Sequence, residues 1–551
     1  MGDGMYPYLL PMTHNPSSKR LVSMAKNLFT QADLEQMEKL GITEDEARRQ
    51  LAILEKGQRW TALERPCTPG DGITILDPED QEHLIRRWQE GADKGSLGGF
   101  IPASGAATRM FAFLQCIRNQ VDRVTLEGTA DKFGRSSDDY REFRVFVGSL
   151  DEFAFFEPLV EVMSKAGISL QENLQLGVYS DILDFLLEPR GLNYSSQPKA
   201  LIPFHRYSDH YRTALEEHLV EAVHTVRDRK QWCRIHFTVA VENQAEAEAY
   251  GGEASANYGK RLGVQYDLSF SIQSPATNTL AVDLENNPFR KDDGNLLFRP
   301  GGHGALLQNL NQLEGDIVFI KNIDNVVTDE RRDLVVRYQR ILAGMLLEVQ
   351  NAIFNYLRVL RSGSLGANEV QEVLDFVVHR LNPSVKEQLL SCSDEEKVAR
   401  LFRLLNRPLR VCGMVVNRGE PGGGPFWVKD GSGRVSLQVV EQAEIDRSSP
   451  EQVAILEGST HFSPVQIVCG LRDFQGQPFD LRQFVDAEAA FVSRKTEDGR
   501  ELKALELPGL WNGGMAYWNT IFVEVPEETF NPVKTINDLL RPGHRSGPLG
   551  H

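Results

Sequence analysis

The chain has 551 residues, of which 41% are hydrophobic and 25% are charged. These proportions predict a globular protein with a large core and roughly two to four domains. Its net charge of −17 argues against a general nucleic-acid binder, because non-specific binding to nucleic acid needs a basic surface. A local basic site for a small anionic ligand remains compatible with this charge.

The six cysteines are widely scattered and form no Cys-x-x-Cys pair. This spacing is typical of a protein in a reducing compartment, and it gives no zinc-binding pattern. We find neither a signal-peptide pattern at the beginning of the sequence nor an apolar stretch of the roughly 20 residues that a membrane helix needs. We therefore expect a cytoplasmic protein with no nucleic-acid or membrane partner.

Residues 1–95 predict a loose tail followed by a helical accessory region. Residues 30–57 have the pattern of two helices that are separated at Gly41, and a further helix is predicted over 77–90. We find no residues in this region that indicate chemistry.

A strand, a turn of small residues and a helix are predicted next. The turn comprises Ala103, Ser104, Gly105 and Ala106. Small side chains allow backbone N–H groups to surround a phosphate, and the N-terminus of the following helix favours an anion. Arg109 adds a cation whose planar fork fits phosphate oxygens. Such a turn also occurs as simple packing, so the residues alone leave both interpretations open.

The next segments predict a helix over 206–226 and strands over 234–241 and 266–273. Lys199 precedes them, and a lysine taken alone is as consistent with a solvated surface position as with a ligand contact. Gln273 ends the second strand. Its amide offers a donor and an acceptor, which suit either the edge of a uracil ring or the backbone at the strand end.

The stretch over 299–326 predicts a glycine loop, a helix and a buried strand that ends in an acid. Gly301 and Gly302 leave the loop almost without side chains, so its N–H groups can approach a ligand closely. Residues 317–320 form an apolar run that is typical of a strand buried on both faces. Asp324 follows this run, where open α/β sheets bind ligands and metals. An ordinary turn with a surface aspartate is the alternative.

A long amphipathic helix is predicted over 329–360, and shorter helices follow it. Because they interrupt a β-rich pattern, residues 329–408 are interpreted as a helical insertion. Strands resume after it, so residues 409–551 are interpreted as a β-rich C-terminal part. Glu441 lies at the end of one of these strands, where exposed glutamates are common.

Several of these motifs, in this order, resemble those of the UDP-sugar pyrophosphorylases. Those enzymes carry a P-x-GHG or P-x-GNG loop, a helix and a strand ending in Asp-Asn, as residues 300–325 do here. Residues 104–110 resemble their GxGTRM signature, although Ala106 and Ala107 stand where the family usually has a second glycine. Residues 198–203 resemble their PK-x-hydrophobic-hydrophobic-P segment, which in the family usually lies closer to the glycine loop.

Two further segments lie near the C-terminus. Residues 439–444 resemble a VVEYSE segment, and residues 530–540 resemble an F-x-P-V-K-x-x-x-D-L-L segment. The complete set of motifs also resembles a bacterial family that is catalogued as a domain of unknown function, which we interpret as a divergent branch of the same group.

The resemblance implies a sugar-1-phosphate nucleotidyltransferase with an α/β, GT-A-like fold, in which a mixed sheet is flanked by helices. Residues 96–328 would form its core, and residues 409–551 would complete the site. The implied substrates are a nucleoside triphosphate, UTP above all, and a sugar 1-phosphate. The implied site residues are Arg109, Lys199 and Lys534 for catalysis; Ala103, Ser104, Gly105, Ala106, Gln273, Gly301 and Gly302 for the nucleotide; His303 and Glu441 for the sugar; and Asp324 for Mg²⁺.

Two other functions stay open. A glycosyltransferase with the same architecture would bind a finished nucleotide sugar and typically use a D-x-D metal motif, of which we find no convincing example. A catalytically silent binding protein would keep the fold without turnover. The sequence leaves the sugar, the base and the oligomeric state open.

Overall fold

The computed structural model describes residues 28–105, 107–362, 366–420 and 422–546. The predicted tail and Ala106 lie outside the described residues.

Helices account for much of the described chain. They are α1 (Gln31–Leu40), α2 (Glu44–Lys56), α3 (Pro78–Asp93), α4 (Ala112–Gln120), α5 (Leu126–Phe133), α6 (Asp138–Gly148), α7 (Phe156–Lys165), α8 (Leu170–Leu176), α9 (Ser180–Leu187), α10 (Ala214–Thr225), α11 (Gln244–Leu262), α12 (Leu306–Asn311), α13 (Arg332–Arg361), α14 (Ala367–Phe376), α15 (Lys386–Leu390), α16 (Asp394–Leu405) and α17 (Pro450–Glu457).

Strands alternate with these helices along the chain. They are β1 (Ala62–Pro66), β2 (Thr68–Pro69), β3 (Gly72–Thr74), β4 (Leu97–Pro102), β5 (Pro203–Arg206), β6 (Tyr211–Thr213), β7 (Trp232–Val239), β8 (Gln265–Ile272), β9 (Thr279–Leu280), β10 (Phe298–Arg299), β11 (Ile317–Lys321), β12 (Leu409–Val416), β13 (Gly423–Lys429), β14 (Val435–Glu441), β15 (His461–Phe462), β16 (Gln466–Gly470), β17 (Phe491–Glu497), β18 (Arg500–Glu506) and β19 (Asn519–Glu524).

The contacts divide the chain into two compact units. Among the described residues, the smaller unit comprises 28–56, Pro275–Pro300 and Val492–Leu505, and the other described residues form the larger unit. This grouping differs from the predicted segments 1–95, 96–328, 329–408 and 409–551. Whether these four segments are separate domains stays a prediction.

The smaller unit pairs two helices with short strands. Gly41 has a φ of +74°, which ends α1 in the left-handed conformation that glycine adopts at low cost. Arg290 donates two hydrogen bonds to Asp33, at 2.8 and 2.7 Å, and these bonds lower the pKa of Asp33 to about 2. A bidentate pair of this kind connects the beginning of α1 to the residues between β9 and β10.

The larger unit is built on a mixed, mostly parallel sheet. Its strand order is β2-β3-β19-β12-β16-β11-β4-β7-β8. Only β16 runs antiparallel to its neighbours along this order, and β15 also pairs antiparallel with β12. Every residue of β11 is buried, as predicted from its continuous apolar run. The predicted α/β class, with a mixed sheet flanked by helices, is confirmed.

Each face of this sheet has its own hydrophobic core. Strand β12 illustrates the division, because Leu409 and Val411 belong to one core whereas Cys412 and Met414 belong to the other. Successive strand residues point to opposite faces, so one apolar strand serves both cores. Helices such as α3, α10 and α13 contribute to the first core, and α12, β13 and β14 contribute to the second.

The predicted helices agree with the structure except at one boundary. The long helix predicted over 329–360 is α13, and the helix predicted over 77–90 is α3. The helix predicted over 206–226 is wrong at its beginning, because 206–213 include the hairpin of β5 and β6. Thr213 and Glu216 form a capping box that begins α10 only at Ala214.

We find no helix in the described part of the chain with the length and apolar content needed to cross a membrane.

Candidate functional site

The carboxyl ends of β4 and β11 bring two predicted site segments together. These strands are parallel neighbours, and the Ile323 N–H donates to the Pro102 oxygen at 3.3 Å just beyond the paired residues. The turn after β4 contains Gly105, and Asp324 follows β11. Because parallel strands end at the same edge of a sheet, the predicted phosphate turn and the predicted metal ligand lie beside each other.

Lys199 joins this edge from a distant part of the sequence. Its Nζ donates to Asp324 Oδ2 at 2.9 Å and to the Val533 oxygen at 2.6 Å. Its backbone N–H is 3.4 Å from the Gly105 oxygen. The lysine side chain is only 14% exposed, so it is not the solvated surface lysine of the alternative interpretation.

The segment that carries Lys534 crosses the same edge. The Val533 N–H donates to the Asp324 main-chain oxygen at 3.1 Å, and the Ile536 N–H donates to the Met110 oxygen at 3.0 Å. Asp538 Oδ2 accepts the backbone N–H groups of Lys534 and Thr535, each at 2.7 Å, which fixes the local turn.

Arg109 and Lys534 differ from Lys199 in their surroundings. Both side chains are exposed, whereas Lys199 is largely covered. Arg109 belongs to the turn Ala107–Arg109, which directly follows the predicted phosphate turn. Three predicted catalytic cations therefore come from segments that contact one another through backbone hydrogen bonds, although they are far apart in the sequence.

Asp324 is the candidate ligand for a divalent cation. In the described residues, no group of three or more His, Cys, Asp or Glu side chains could hold a metal ion. Mg²⁺ typically takes one or two carboxylates and completes its octahedron with water and substrate phosphates. A single carboxylate such as Asp324 at the sheet edge fits a Mg²⁺ site that is completed by water and substrate. It does not fit a metal site whose ligands all come from the protein.

Gln273 lies one residue beyond β8, and a side chain of α12 fixes the strand end before it. Asn309 Nδ2 donates to the Ile272 oxygen at 2.8 Å and to Ser271 Oγ at 2.7 Å. Helix α12 follows the loop that contains Gly301 and Gly302. The two segments predicted to contact the nucleotide are thus connected through Asn309, which the sequence analysis missed because an asparagine within a helix carries no motif.

The glycine loop before α12 approaches other backbone closely. Gly302 has a φ of +73°, and a Cβ on Gly304 would lie 2.2 Å from the Pro508 oxygen. The Leu507 N–H also donates to the Gly301 oxygen at 2.9 Å. The backbone conformation therefore favours glycine at Gly302, and the close packing requires it at Gly304. That the N–H groups of Gly301 and Gly302 donate to the nucleotide stays a prediction.

His303 and Glu441, the two predicted sugar contacts, are neighbours. His303 Nε2 lies 3.4 Å from Glu441 Oε1, and the Leu510 N–H is 3.2 Å from His303 Nδ1. The imidazole stacks on the Trp511 ring, with 4.4 Å between centroids and 26° between planes. The histidine is held on three sides, so it presents a fixed orientation to a ligand.

Glu444 and Asn512 complete this group. The Glu441 N–H and Asn512 Nδ2 donate to Glu444 Oε2 at 2.6 and 3.0 Å. Burial raises the pKa of Glu444 to about 7, although these donors act in the opposite direction. From the sequence, Glu444 was included only as the last residue of the 439–444 segment, and Trp511 and Asn512 were missed. The Trp-Asn pair in the glycine-rich 509–514 turn is the signal that could have found them.

The His303 group and the Lys199 group lie toward the same edge of the sheet. Glu441 pairs with Gly423, whose oxygen accepts the Ser463 N–H at 2.8 Å. Ser463 precedes β16, and Gln466, the first residue of β16, pairs with Lys321 at the end of β11. The described residues show no direct hydrogen bond between the two groups. A ligand that contacts both would have to extend from one to the other.

The chain belongs to a family defined by sequence. The family model described as "Domain of unknown function (DUF4301)" matches residues 30–545, which confirms the prediction of such a family. No curated protein matches the chain.

The chain is also similar to several solved structures. One is the uridine diphosphate N-acetylglucosamine pyrophosphorylase from Trypanosoma brucei, with 12% identity, coverage of 93% of this chain and 79% of that one, and a TM-score of 0.47. Another is a mutant UDP-glucose pyrophosphorylase from Leishmania major in complex with UDP-glucose, with 13% identity, coverage of 94% and 79%, and a TM-score of 0.42. A UDP-glucose phosphorylase from Trypanosoma brucei has 14% identity, coverage of 92% and 77%, and a TM-score of 0.42.

Proposed function

We propose that this protein is a nucleotidyltransferase that makes a nucleotide sugar and pyrophosphate from a nucleoside triphosphate and a sugar 1-phosphate. We propose UTP as the nucleotide and Mg²⁺ as the metal. The bond that forms joins a phosphate oxygen of the sugar phosphate to the α-phosphorus, and the bond that breaks releases pyrophosphate.

One observation supports the proposal above the others. Lys199 Nζ contacts Asp324 and the Val533 oxygen at a sheet edge that also contains the turn before Arg109. Phosphoryl and nucleotidyl transfer need charge neutralisation and in-line positioning more than a covalent catalyst. A largely covered lysine, two exposed cations and one carboxylate are the residue types that such a reaction requires.

Each residue has a definite part in this proposal. Lys199 and Lys534 would contact phosphate oxygens and offset the negative charge that grows as the α-phosphorus is attacked. Arg109 would bind a phosphate through its planar fork. Asp324 would hold Mg²⁺, and the ion would supply positive charge that offsets the negative charge of the phosphate oxygens. His303 and Glu441 would contact sugar hydroxyls through directional, charge-assisted hydrogen bonds.

The test is pyrophosphate release with Mg²⁺ across a grid of nucleoside triphosphates and sugar 1-phosphates. We expect release with one nucleotide and one sugar phosphate. Asp324→Asn should reduce that rate by at least about 100-fold, because it removes the metal ligand. Asp316→Asn is the matched control, since Asp316 lies immediately before β11 and Asp324 lies after it, and Asp316 pairs with Arg472 at the surface.

Two results would contradict the proposal. Full activity in Asp324→Asn would remove the metal assignment. No release anywhere in the grid, from folded protein that still binds UTP, would favour the silent binding protein, whereas transfer from a finished nucleotide sugar to an acceptor would favour the glycosyltransferase.

A further inference from the structure

Arg410 is a fully buried cation on β12. Its side chain is 0% exposed, and its Nη2 has no hydrogen-bond partner in the part of the chain that the structure describes. Burial lowers the pKa of its guanidinium. Arginine is almost never fully buried without a paired acid, because an uncompensated buried charge costs several kcal/mol. A buried arginine without a paired acid is therefore kept for the groups to which its other N–H groups donate.

Both of its hydrogen bonds end on uncharged oxygens. Nε donates to Thr520 Oγ1 at 2.9 Å, on the neighbouring strand β19. Nη1 donates to the Trp511 main-chain oxygen at 2.6 Å. The second bond connects the core of the sheet to the 509–514 turn, whose own N–H groups at Asn512 and Gly514 both point to the Gly509 oxygen.

The turn that Arg410 holds also fixes His303. Trp511 stacks on the imidazole, and the Leu510 N–H is directed at its Nδ1. A neutral histidine carries its proton on the nitrogen that does not accept a hydrogen bond. With Nδ1 accepting from Leu510, the proton is on Nε2, which faces Glu441 Oε1 at 3.4 Å.

We propose that Arg410 is a positioning residue, which holds the 509–514 turn so that His303 keeps its Nε2–H tautomer directed at Glu441. In this role the buried guanidinium acts through one main-chain oxygen and touches no ligand. The assignment of His303 and Glu441 to the sugar rests on the proposed function, but the effect of Arg410 on the His303 tautomer does not.

The first experiment reads the histidine directly. Histidine-labelled protein is examined by long-range ¹H–¹⁵N correlation, and the His303 signals are assigned by their loss in His303→Gln. We expect an acceptor-type Nδ1 and a protonated Nε2 in the native protein. Arg410→Lys and Arg410→Met should shift both nitrogens toward the average of the two tautomers. Thr520→Val is the matched control, because it removes the other Arg410 bond and leaves the Trp511 bond, so its His303 signals should stay native.

Gly509→Ala provides an independent perturbation. An added Cβ would lie 2.6 Å from His303 Cε1 and 2.9 Å from Nε2, so it displaces the ring while Arg410 is intact. In Gly509→Ala we expect the two His303 nitrogen signals to shift toward the average of the two tautomers, as in the Arg410 variants. Native His303 signals in a folded Arg410 variant would overturn the proposal. If neither Arg410 variant folds while Thr520→Val does, Arg410 serves folding alone and the proposal is also overturned.

Kinetics distinguish this inference from the proposed function. If the enzyme is active, Arg410→Lys should raise the KM for the sugar phosphate about tenfold and leave the KM for the nucleotide unchanged. An equal rise in both would contradict a role confined to His303. If the native protein shows no turnover, the proposed function fails, but the histidine signals still decide the role of Arg410.

Discussion

Lys199 and Asp324 are separated by 125 positions in the sequence, and their side chains are 2.9 Å apart. The sequence gives each residue a role only by its motif, and it gives no information on whether they meet. Their contact makes the lysine part of the same site as the acid. The unshared oxygen of Asp324 remains the candidate position for a metal.

We expect Lys199→Ala to reduce pyrophosphate release by at least about 100-fold, because the variant loses the covered cation beside the phosphate turn. The rate is measured under the conditions that give turnover in the native protein. Lys165→Ala is the control, since Lys165 is 73% exposed on a helix and pairs with Glu161 on the same helix. A native rate in Lys199→Ala would exclude this lysine from the catalytic group.

Glu444 predicts a dependence of stability on pH. Burial raises its pKa in the folded protein to about 7, above the ordinary value of 4.5. Between these two values the folded state keeps a proton that the unfolded state has lost, so the free energy of unfolding should fall as the pH rises through this window and level off above pH 7. Because the side chain is half-buried, solvent screens part of this effect. We expect the free energy of unfolding to fall by roughly 1–2 kcal/mol across the window.

The measurement for Glu444 is urea unfolding at pH 5 and pH 8. Glu444→Gln cannot ionise, so its stability should change less over this range than that of the native protein. The difference between the two proteins isolates Glu444 from other titrating groups. An identical pH dependence in both would show that Glu444 has an ordinary pKa.

At the scale of elements, two helices of the larger unit pack unusually closely. Helix α13 contacts α3 at Gly344, where an added Cβ would lie 1.9 Å from the Leu84 main-chain oxygen. Helix propensity favours alanine over glycine by about 1 kcal/mol. The close approach of the two backbones reverses this preference, since backbone atoms cannot move aside as a flexible side chain can.

We therefore expect Gly344→Ala to destabilise the protein by about 3 kcal/mol. Gly252→Ala is the matched control, because Gly252 lies within α11 and, apart from its own helix backbone and chain neighbours, no atom lies within 4 Å of the added Cβ. That variant should be stabilised by up to about 1 kcal/mol. Thermal and urea unfolding of both variants test the opposite signs, and a stabilised Gly344→Ala would show that α3 and α13 can separate without cost.

At the scale of the whole molecule, one sheet combines strands from distant parts of the chain. The inner strand β11 lies between β4, which precedes it in the sequence, and β16, which follows the helices α13–α16. A strand that is buried on both faces and paired on both edges depends on all of these neighbours. The segment 96–328, which the sequence predicts as the core, contains only some of them.

We expect a fragment of residues 96–328 not to fold cooperatively. It would expose β11 as an unpaired apolar edge, because β16 and β12 are missing, and such an edge favours aggregation. Circular dichroism and thermal unfolding of the fragment, compared with the full chain, test this expectation. A cooperative transition in the fragment would support the predicted domain boundary at 328.

Much of the local structure was predictable from residues that are close in the sequence. The buried strand β11, the helices α3 and α13 and the α/β class follow from apolar periodicity, which reports on burial directly. The beginning of α10 was misplaced because the capping box of Thr213 and Glu216 was overlooked. Asn309 and Arg410 carried no local signal, since their importance depends on what they contact.

The sequence by itself determined the order of the elements, the α/β class and the separate motifs around Gly105, Asp324, Glu441 and Lys534. Each of these depends on spacing over a few residues, which an amino-acid sequence records. Only the tertiary structure decided that Lys199 meets Asp324, that Arg410 reaches the turn that fixes His303, and that Glu444 is buried enough to raise its pKa. These facts depend on distances between segments that are far apart in the chain, and the order of the sheet strands sets those distances.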